Sequence, residues 1–326
     1  MPRFDPQPAL RHAHEAAQWA GVRYSREITQ SREIRNDTPE KNDTACDEGV
    51  LCEVLVDGHF GYAATADLSP AGLQRAFDQA IATTRAMAPY KVHTFTEAQR
   101  AAVQGAYTSP AQTPLAQTPL AQVTQCLLGA SRAMALGDKI VNRSARAVLV
   151  QTQIDYYATN GTHTTQQFDM VDITVAATAA EGVQSQTRSW SHTGQFGGEV
   201  FDEALFAQQG RRVATEALEL LSAPNCPTGT LDLILMPDQM MLQIHESIGH
   251  PLELDRILGD ERNYAGWSFV QPSDFGQLRY GSPLMNVTFD PTKTHAMASY
   301  AFDDGGNPAR REFLIEGGIL RRGLGS

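Results

Sequence analysis

The sequence lacks the features that mark several classes of protein. Its longest apolar runs, such as LDLILMP at 231–237, fall far short of the roughly 20 residues that a transmembrane helix needs, and the N-terminal stretch carries no apolar signal core. No block of lysine and arginine interleaved with aromatics occurs, and the formal net charge is -11. An acidic chain repels phosphate backbones. The sequence therefore argues against membrane insertion and against direct nucleic-acid binding.

Cysteine is also scarce. The four cysteines, Cys46, Cys52, Cys126 and Cys226, show no CxxC spacing, so we expect free thiols in a reducing compartment and hence a cytoplasmic protein. The composition, 42% hydrophobic and 19% charged over 326 residues, is ordinary for a folded protein of two or three domains.

Residues 1–106 are predicted to form an N-terminal α+β domain. A short helix ends at Gly21, and the strands that follow turn at Asp57-Gly58, a strong hairpin signal. Ser69 is placed to cap the next helix, and Pro70 to occupy its first position. The hairpin favours this α+β order over a single βαβ unit.

Two further regions follow. The stretch YTSPAQTPLAQTPLAQ, residues 107–122, repeats QTPLA and is typical of a semi-extended connector. Residues 123–223 are predicted as a central α+β domain, in which two long strands flank a type I′ turn at Asn160-Gly161. Residues 224–326 form the third region, which opens with a linker and a predicted buried strand, TLDLILMP.

A helix that begins at Pro237-Asp238 carries the segment HESIGH. Common zinc-protease helices place two histidines four residues apart, whereas His245 and His250 are five apart, which separates them by about 140° on a regular helix. A π-bulge or a broken turn would return them to one face, and Gly249 and Pro251 favour such a distortion. Without it, the three polar residues are an ordinary polar helix face.

The flanks of this motif resemble a known family. The run LMPDQMMLQIHESIGHPLELDRILGDERNYAGWSFV, residues 235–270, closely resembles the HExxxH segment of the TldD/PmbA proteins, called modulators of DNA gyrase, and specifically of their TldD metalloprotease branch. The PmbA (TldE) branch lacks a complete motif. Residues 49–87 resemble the N-terminal domain of that family, and residues 295–320 resemble a strand-rich part of its catalytic domain.

The resemblance implies a zinc-dependent metallopeptidase. It assigns His245 and His250 as zinc ligands and Glu246 as the general base that takes a proton from a zinc-activated water, roles that suit imidazole and carboxylate chemistry. Proteins similar to this one cleave unfolded or flexible peptides inside a chamber of a dimer. We therefore expect a homodimer, or a heterodimer with a PmbA-like subunit, in which the peptide is held partly as an added β-strand.

The third zinc ligand departs from the family pattern. The resemblance implies a cysteine in a late glycine-rich segment, but no cysteine follows Cys226, so we expect a fragment of a longer member with an incomplete catalytic domain. Substitutes are Glu253, Asp255, His295 or water, and Cys226 is predicted to be a buried thiol. Two alternatives stay open: a catalytically impaired subunit or paralogue that acts as a dimer partner, and a metal-independent peptide-binding protein.

Overall fold

The computed structural model describes residues 5–91 and 93–325. By contact, the chain forms two compact units. The first unit consists of Met1–Pro224 and Lys293–Asn307, and the second of Asn225–Thr292 and Pro308–Ser326. Both units mix helices with strands, which confirms the predicted α+β class.

The first unit holds four helices and seven strands among its described residues. The helices are α1 (Gln7–His14), α2 (Pro70–Met87), α3 (Leu120–Ala133) and α4 (Glu203–Ser222); the strands are β1 (Trp19–Arg35), β2 (Thr38–Val56), β3 (His59–Thr65), β4 (Gln104–Thr108), β5 (Ile140–Ala158), β6 (His163–Glu181) and β7 (Gln184–Gly194).

These strands build one sheet in the order β3-β2-β1-β5-β6-β4, and β7 also pairs with β6. Every pairing is antiparallel except that of β4 with β6. Strands from the predicted N-terminal domain and from the predicted central domain therefore share a sheet. The domain boundaries drawn from the sequence stay a prediction.

Alternation along the long strands directs the apolar side chains to one face. Val22 and Val54 pack with α1 and α2 in one buried cluster, while Ile34 and Leu149 pack with α3 and α4 in another. Because side chains two residues apart share a face, the even positions of β1 serve both clusters. The four helices thus cover the same side of the sheet.

Two of the hairpins contain the Asp-Gly and Asn-Gly dipeptides that the sequence predicts as turns. At Asp57-Gly58 both residues have positive φ, 51° and 75°, as the type I′ turn requires, and the predicted hairpin is confirmed. The Asn160-Gly161 hairpin also forms, but only Gly161 has positive φ, so the predicted turn type is wrong. The side chain of Asn160 makes two contacts in this loop: its Nδ2 donates to the carbonyl of Arg100, and its Oδ1 accepts from the N–H of Thr162.

The bounds of α1 and α2 can be compared with those predicted from the sequence. Ser69 accepts a hydrogen bond from the N–H of Gly72, and Pro70 begins α2, as predicted. The first helix is shorter than predicted, because α1 ends at His14 and β1 already begins at Trp19. The hydrogen bonds of Gly21 with two neighbouring strands outweigh the helical pattern there.

The second unit carries the HESIGH segment. It contains α5 (Pro237–Ile244), α6 (Leu254–Leu258) and three short strands, β8 (Val287–Phe289), β9 (Glu312–Glu316) and β10 (Ile319–Leu320), which pair antiparallel. Ile248, Leu252 and Ile315 lie in its buried cluster.

The segment TLDLILMP does not form the strand that its apolar composition predicts. It was predicted as a buried strand, but Leu231, Leu233 and Ile234 are 71%, 78% and 87% exposed and lie in irregular backbone. A strand requires a neighbour that supplies ladder hydrogen bonds and a face to bury. Within the described residues no strand pairs with this segment, so apolar composition alone does not make it a strand.

Candidate metal centre

The helix that begins at Pro237 changes its pitch at the first histidine. Residues His245–Gly249 form a π-helical turn, in which the N–H of His250 donates to the carbonyl of His245 five residues earlier. The wider turn brings the two imidazole rings to 4.3 Å between centroids. The distortion predicted from the spacing of the histidines is therefore confirmed.

The proline after His250 accounts for part of this distortion. On a regular helix the carbonyl of Ser247 would accept from the N–H of residue 251, but Pro251 has no N–H. The hydroxyl of Tyr280 donates to that carbonyl instead, at 2.6 Å. Gly249 has an ordinary φ of -54°, and a Cβ there would meet only the Ile244 carbonyl oxygen at 3.8 Å. Its lack of a side chain is not required by space or by φ.

His245, Glu246 and His250 converge at this turn. Each offers one ligand atom, and these atoms lie within 4.8 Å of one another. Nε2 of His245 lies 3.8 Å from Oε1 of Glu246. His245 and Glu246 are exposed and His250 is half-buried.

A second set of contacts holds His250 from its other side. Nδ1 of His250 lies 2.9 Å from Oε1 of Glu253, and the second oxygen of that carboxylate accepts from Nε of Arg256. Arg256 in turn donates from Nη1 to the carbonyl of Ala265 at 2.5 Å. Burial favours a higher pKa for Glu253, but the hydrogen bonds from His250 and Arg256 and the charge of Arg256 outweigh it and lower the pKa.

The other candidates for a third ligand are engaged elsewhere or exposed. Asp255 accepts from the N–H of Arg256 and is not part of the cluster. His295 belongs to the first unit, where Nδ1 lies 2.9 Å from the carbonyl oxygen of Gln195 and the ring stacks on Phe196. Cys226 is a free thiol, as expected, but it is exposed rather than buried, because the linker around it is exposed.

The donor set of the cluster fits zinc. Two imidazole nitrogens and a carboxylate oxygen are ligands that Zn²⁺ accepts, and the contact of His250 Nδ1 with Glu253 leaves Nε2 available. Among residues 5–91 and 93–325, no other three histidine, cysteine or acidic side chains converge in this way. A helix that presents two histidines and a glutamate together is typical of metallopeptidases.

Comparison with protein families agrees with this class. Residues 228–326 match the PmbA/TldA metallopeptidase C-terminal domain, and residues 20–84 match domain 1 of the same metallopeptidases. Together the two matches cover half of the chain. The chain belongs to the TldD/PmbA family, as the resemblance of the HExxxH segment predicted.

Individual proteins that are similar to this chain are named metalloproteases. A metalloprotease of Methanocaldococcus jannaschii is 34% identical over 134 residues, which is 41% of this chain and 28% of the relative. A metalloprotease TldD homologue of Haemophilus influenzae is 27% identical over 197 residues, 58% of this chain and 39% of the relative. These matches thus span between about a quarter and two fifths of the length of the curated relatives.

Solved structures show the same fold. A structure from Thermotoga maritima, described as a modulator of a DNA gyrase, aligns over 98% of this chain and 71% of its own, with a TM-score of 0.74 at 16% identity. TldE from Thermococcus kodakarensis aligns over 98% of this chain and 69% of its own, with a TM-score of 0.67 at 13% identity.

Among the described residues, no helix has both the length and the apolar character that crossing a bilayer requires.

Proposed function

We propose that this chain is a zinc-dependent peptidase that hydrolyses unfolded or flexible peptides. One observation carries the proposal: the π-helical turn brings His245 and His250 together beside Glu246 in a position open to solvent. Family membership and relatives named metalloproteases support the same reaction class.

The roles of the residues follow from their chemistry. His245 and His250 would hold the metal through neutral imidazole nitrogens. A bound Zn²⁺ supplies Lewis acidity, which lowers the pKa of a coordinated water to roughly 7. The carboxylate of Glu246 is adjacent to His245, and we assign it as the base that accepts a proton and later returns it to the leaving amine.

Exposure of the cluster supports a peptide substrate. A half-buried His250 and an exposed Glu246 admit an extended main chain, whereas a compact folded protein presents few such segments. Recognition through main-chain hydrogen bonds, as in an added β-strand, gives weak sequence preference. A dimer, formed with a second copy or with a PmbA-like subunit, and a cytoplasmic location complete the proposal, as predictions from the sequence.

A non-catalytic subunit is the second candidate. Catalytic zinc sites as a rule have three protein ligands, and if Glu246 acts as base, the described cluster supplies two histidines. Such a chain would bind peptide or a partner subunit without hydrolysing it.

Metal content and hydrolysis together test the proposal. We expect the purified protein to bind about one zinc per chain and to cleave a fluorogenic unstructured peptide. His245→Ala should lose both, whereas Glu246→Gln should keep zinc and lose at least about 100-fold in kcat, the usual contribution of a general base.

The matched control is Asp238→Asn, an acidic position on the same helix whose carboxylate contacts only the N–H of Gln239. It should leave activity unchanged. Full activity in the Glu246→Gln protein would overturn the proposed mechanism. Zinc binding with no hydrolysis by the unaltered chain would favour the non-catalytic subunit.

A further inference from the structure

We propose that Glu253 and Arg256 form a positioning pair that fixes the tautomer and the orientation of His250. The inference rests on the proposed zinc site, because it gives these residues a role in presenting a ligand atom. It gives Glu253 a different role from that of a substitute third ligand, for which the sequence made it one of several candidates.

The contact between His250 and Glu253 decides which ring nitrogen faces the metal. Oε1 of Glu253 lies 2.9 Å from Nδ1 of His250, and an ionised carboxylate can only accept a hydrogen bond. Nδ1 must therefore carry the proton in the neutral ring. Nε2 is left with a free lone pair, which is the form that a metal requires.

Arg256 keeps the carboxylate in place. Its Nε donates to Oε2 of Glu253, so both oxygens of this carboxylate are engaged, one by the histidine and one by the arginine. Nη1 of Arg256 donates to the Ala265 carbonyl, which ties the pair to the loop after α6. A carboxylate held from both sides cannot easily turn to become a metal ligand itself.

Chain geometry explains why these residues meet. The turn His250–Leu252 is followed by Glu253, which takes an extended ψ of 124° and directly precedes α6 as its N-cap residue. The N–H of Leu254 donates to the Leu324 carbonyl and fixes the backbone at this point. The contacts of Glu253 with both His250 and Arg256 place the three side chains together at this bend.

The tautomer provides a direct test that needs neither zinc nor activity. In metal-free protein at pH 8 with ¹⁵N-labelled histidine, long-range ¹⁵N–¹H correlation should show His250 protonated at Nδ1. Glu253→Ala should shift the population toward the Nε2-protonated form that free imidazole side chains favour. Glu253→Gln retains an oxygen acceptor and should keep most of the Nδ1-protonated form.

Zinc affinity, measured by competition with a chromophoric chelator, supplies the second readout. Loss of such an outer contact typically weakens metal binding by about 10- to 100-fold, which we expect for Glu253→Ala, with a smaller loss for Glu253→Gln and for Arg256→Lys. Asp255→Asn removes a neighbouring carboxylate that contacts only a backbone N–H, and it should change neither readout. Circular dichroism establishes that each variant is folded.

Two results would overturn the inference. An unchanged tautomer and unchanged zinc affinity in Glu253→Ala would show that the contact positions nothing. Equal, large losses of affinity in the Ala and Gln variants with an unchanged tautomer would make Glu253 a ligand. Absence of zinc binding in the unaltered chain would count against the proposed function, while the tautomer experiment would still decide the role of Glu253.

Discussion

The hydroxyl of Tyr280 takes the place of a backbone donor that Pro251 cannot supply. It donates to the Ser247 carbonyl inside the turn that separates the two histidines. Ser247 is exposed, so water competes for this carbonyl, and the hydrogen bond from Tyr280 favours the widened turn by the modest net contribution of such a bond. The aromatic ring also packs against the cluster that holds Leu252, which fixes the hydroxyl.

Tyr280→Phe should therefore weaken zinc binding at the proposed site without altering a proposed ligand. Loss of one hydrogen bond costs about 1 kcal/mol, which corresponds to roughly a fivefold lower zinc affinity if the turn must form before zinc binds. Chelator competition measures the change. Tyr264→Phe, at a side chain that is 91% exposed in the same unit, is the matched control. Equal affinities for Tyr280→Phe and the unaltered protein would contradict this role.

The convergence of His245, Glu246 and His250 could be predicted from the sequence, whereas the residues that support the turn could be predicted only in part. HESIGH has a specific composition, and the five-residue spacing required a distorted turn, which the structure contains. Of the two residues credited with the distortion, Pro251 leaves a carbonyl unpaired, while Gly249 has an ordinary backbone conformation. Nothing in the sequence singles out Tyr280 as the donor to Ser247, because it lies 33 residues further along the chain and meets that carbonyl only in the folded unit.

At the scale of elements, one glutamine holds a distant segment against the sheet. Gln195 is fully buried, and its side-chain oxygen accepts from the hydroxyls of Tyr107 and Ser109. Its Nε2 donates to the carbonyls of Met297 and Ser299. Both donors and both lone pairs of the amide are thus used, and the segment Lys293–Asn307 joins the first unit partly through this residue.

Gln195→Leu should destabilise the first unit, because it leaves four polar groups without this partner, and those of Ser109 and Ser299 are buried. With about 1 to 3 kcal/mol for each unsatisfied group and some recovery by water, we expect a loss of about 3 kcal/mol in the free energy of unfolding. Urea denaturation measures it, and limited proteolysis should show earlier cleavage within residues 293–307. Gln184→Leu, at an exposed position of β7, should change stability by less than about 0.5 kcal/mol. Equal effects of the two substitutions would refute this account.

Elements were predicted best where local chemistry decides them. The cap at Ser69 and the turn at Asp57-Gly58 depend on neighbouring residues, and both formed as expected. The expectation failed for TLDLILMP, because a strand exists only with a partner. The expected end of α1 was also wrong. Trp19 and Gly21 pair with β2 and therefore belong to β1 rather than to the helix.

At the scale of the whole molecule, two of the buried clusters of the first unit each contain one buried cysteine. Cys52 lies in the cluster with α1 and α2, and Cys126 in the cluster with α3 and α4. Burial raises the pKa of Cys52 to about 12; burial, with the nearby charges of Glu203 and Asp202, raises that of Cys126 to about 11. These thiols therefore report on the integrity of each cluster.

We expect two fast-reacting thiols in the native protein at pH 8 and all four after unfolding, as counted with a chromogenic disulfide reagent. Cys46 and Cys226 are exposed and should react first. A Cys46→Ser, Cys226→Ser double variant should show no fast phase. Four fast thiols in the native protein would mean that the clusters open readily.

The raised pKa values of Cys52 and Cys126 predict that the free energy of unfolding falls at alkaline pH. Both thiols have folded-state pKa values above their ordinary value of 9.0, so unfolded chains release these protons first as the pH rises. The contribution is fully present below pH 9.0 and is lost as the pH approaches about 11 for Cys126 and about 12 for Cys52. Urea midpoints measured from pH 8 upward should fall, and should fall less when Cys126 is replaced by alanine.

The π-helical turn at His245–Gly249 also bears on how metal-binding helices are recognised in sequences. An extra residue in the turn restores the azimuth that a straight helix gives to histidines four apart. Two motifs that differ in length can therefore present the same pair of imidazoles. A search restricted to the four-residue interval passes over this chain, although the rotation about the helix axis, not the interval, determines whether two side chains can share an ion.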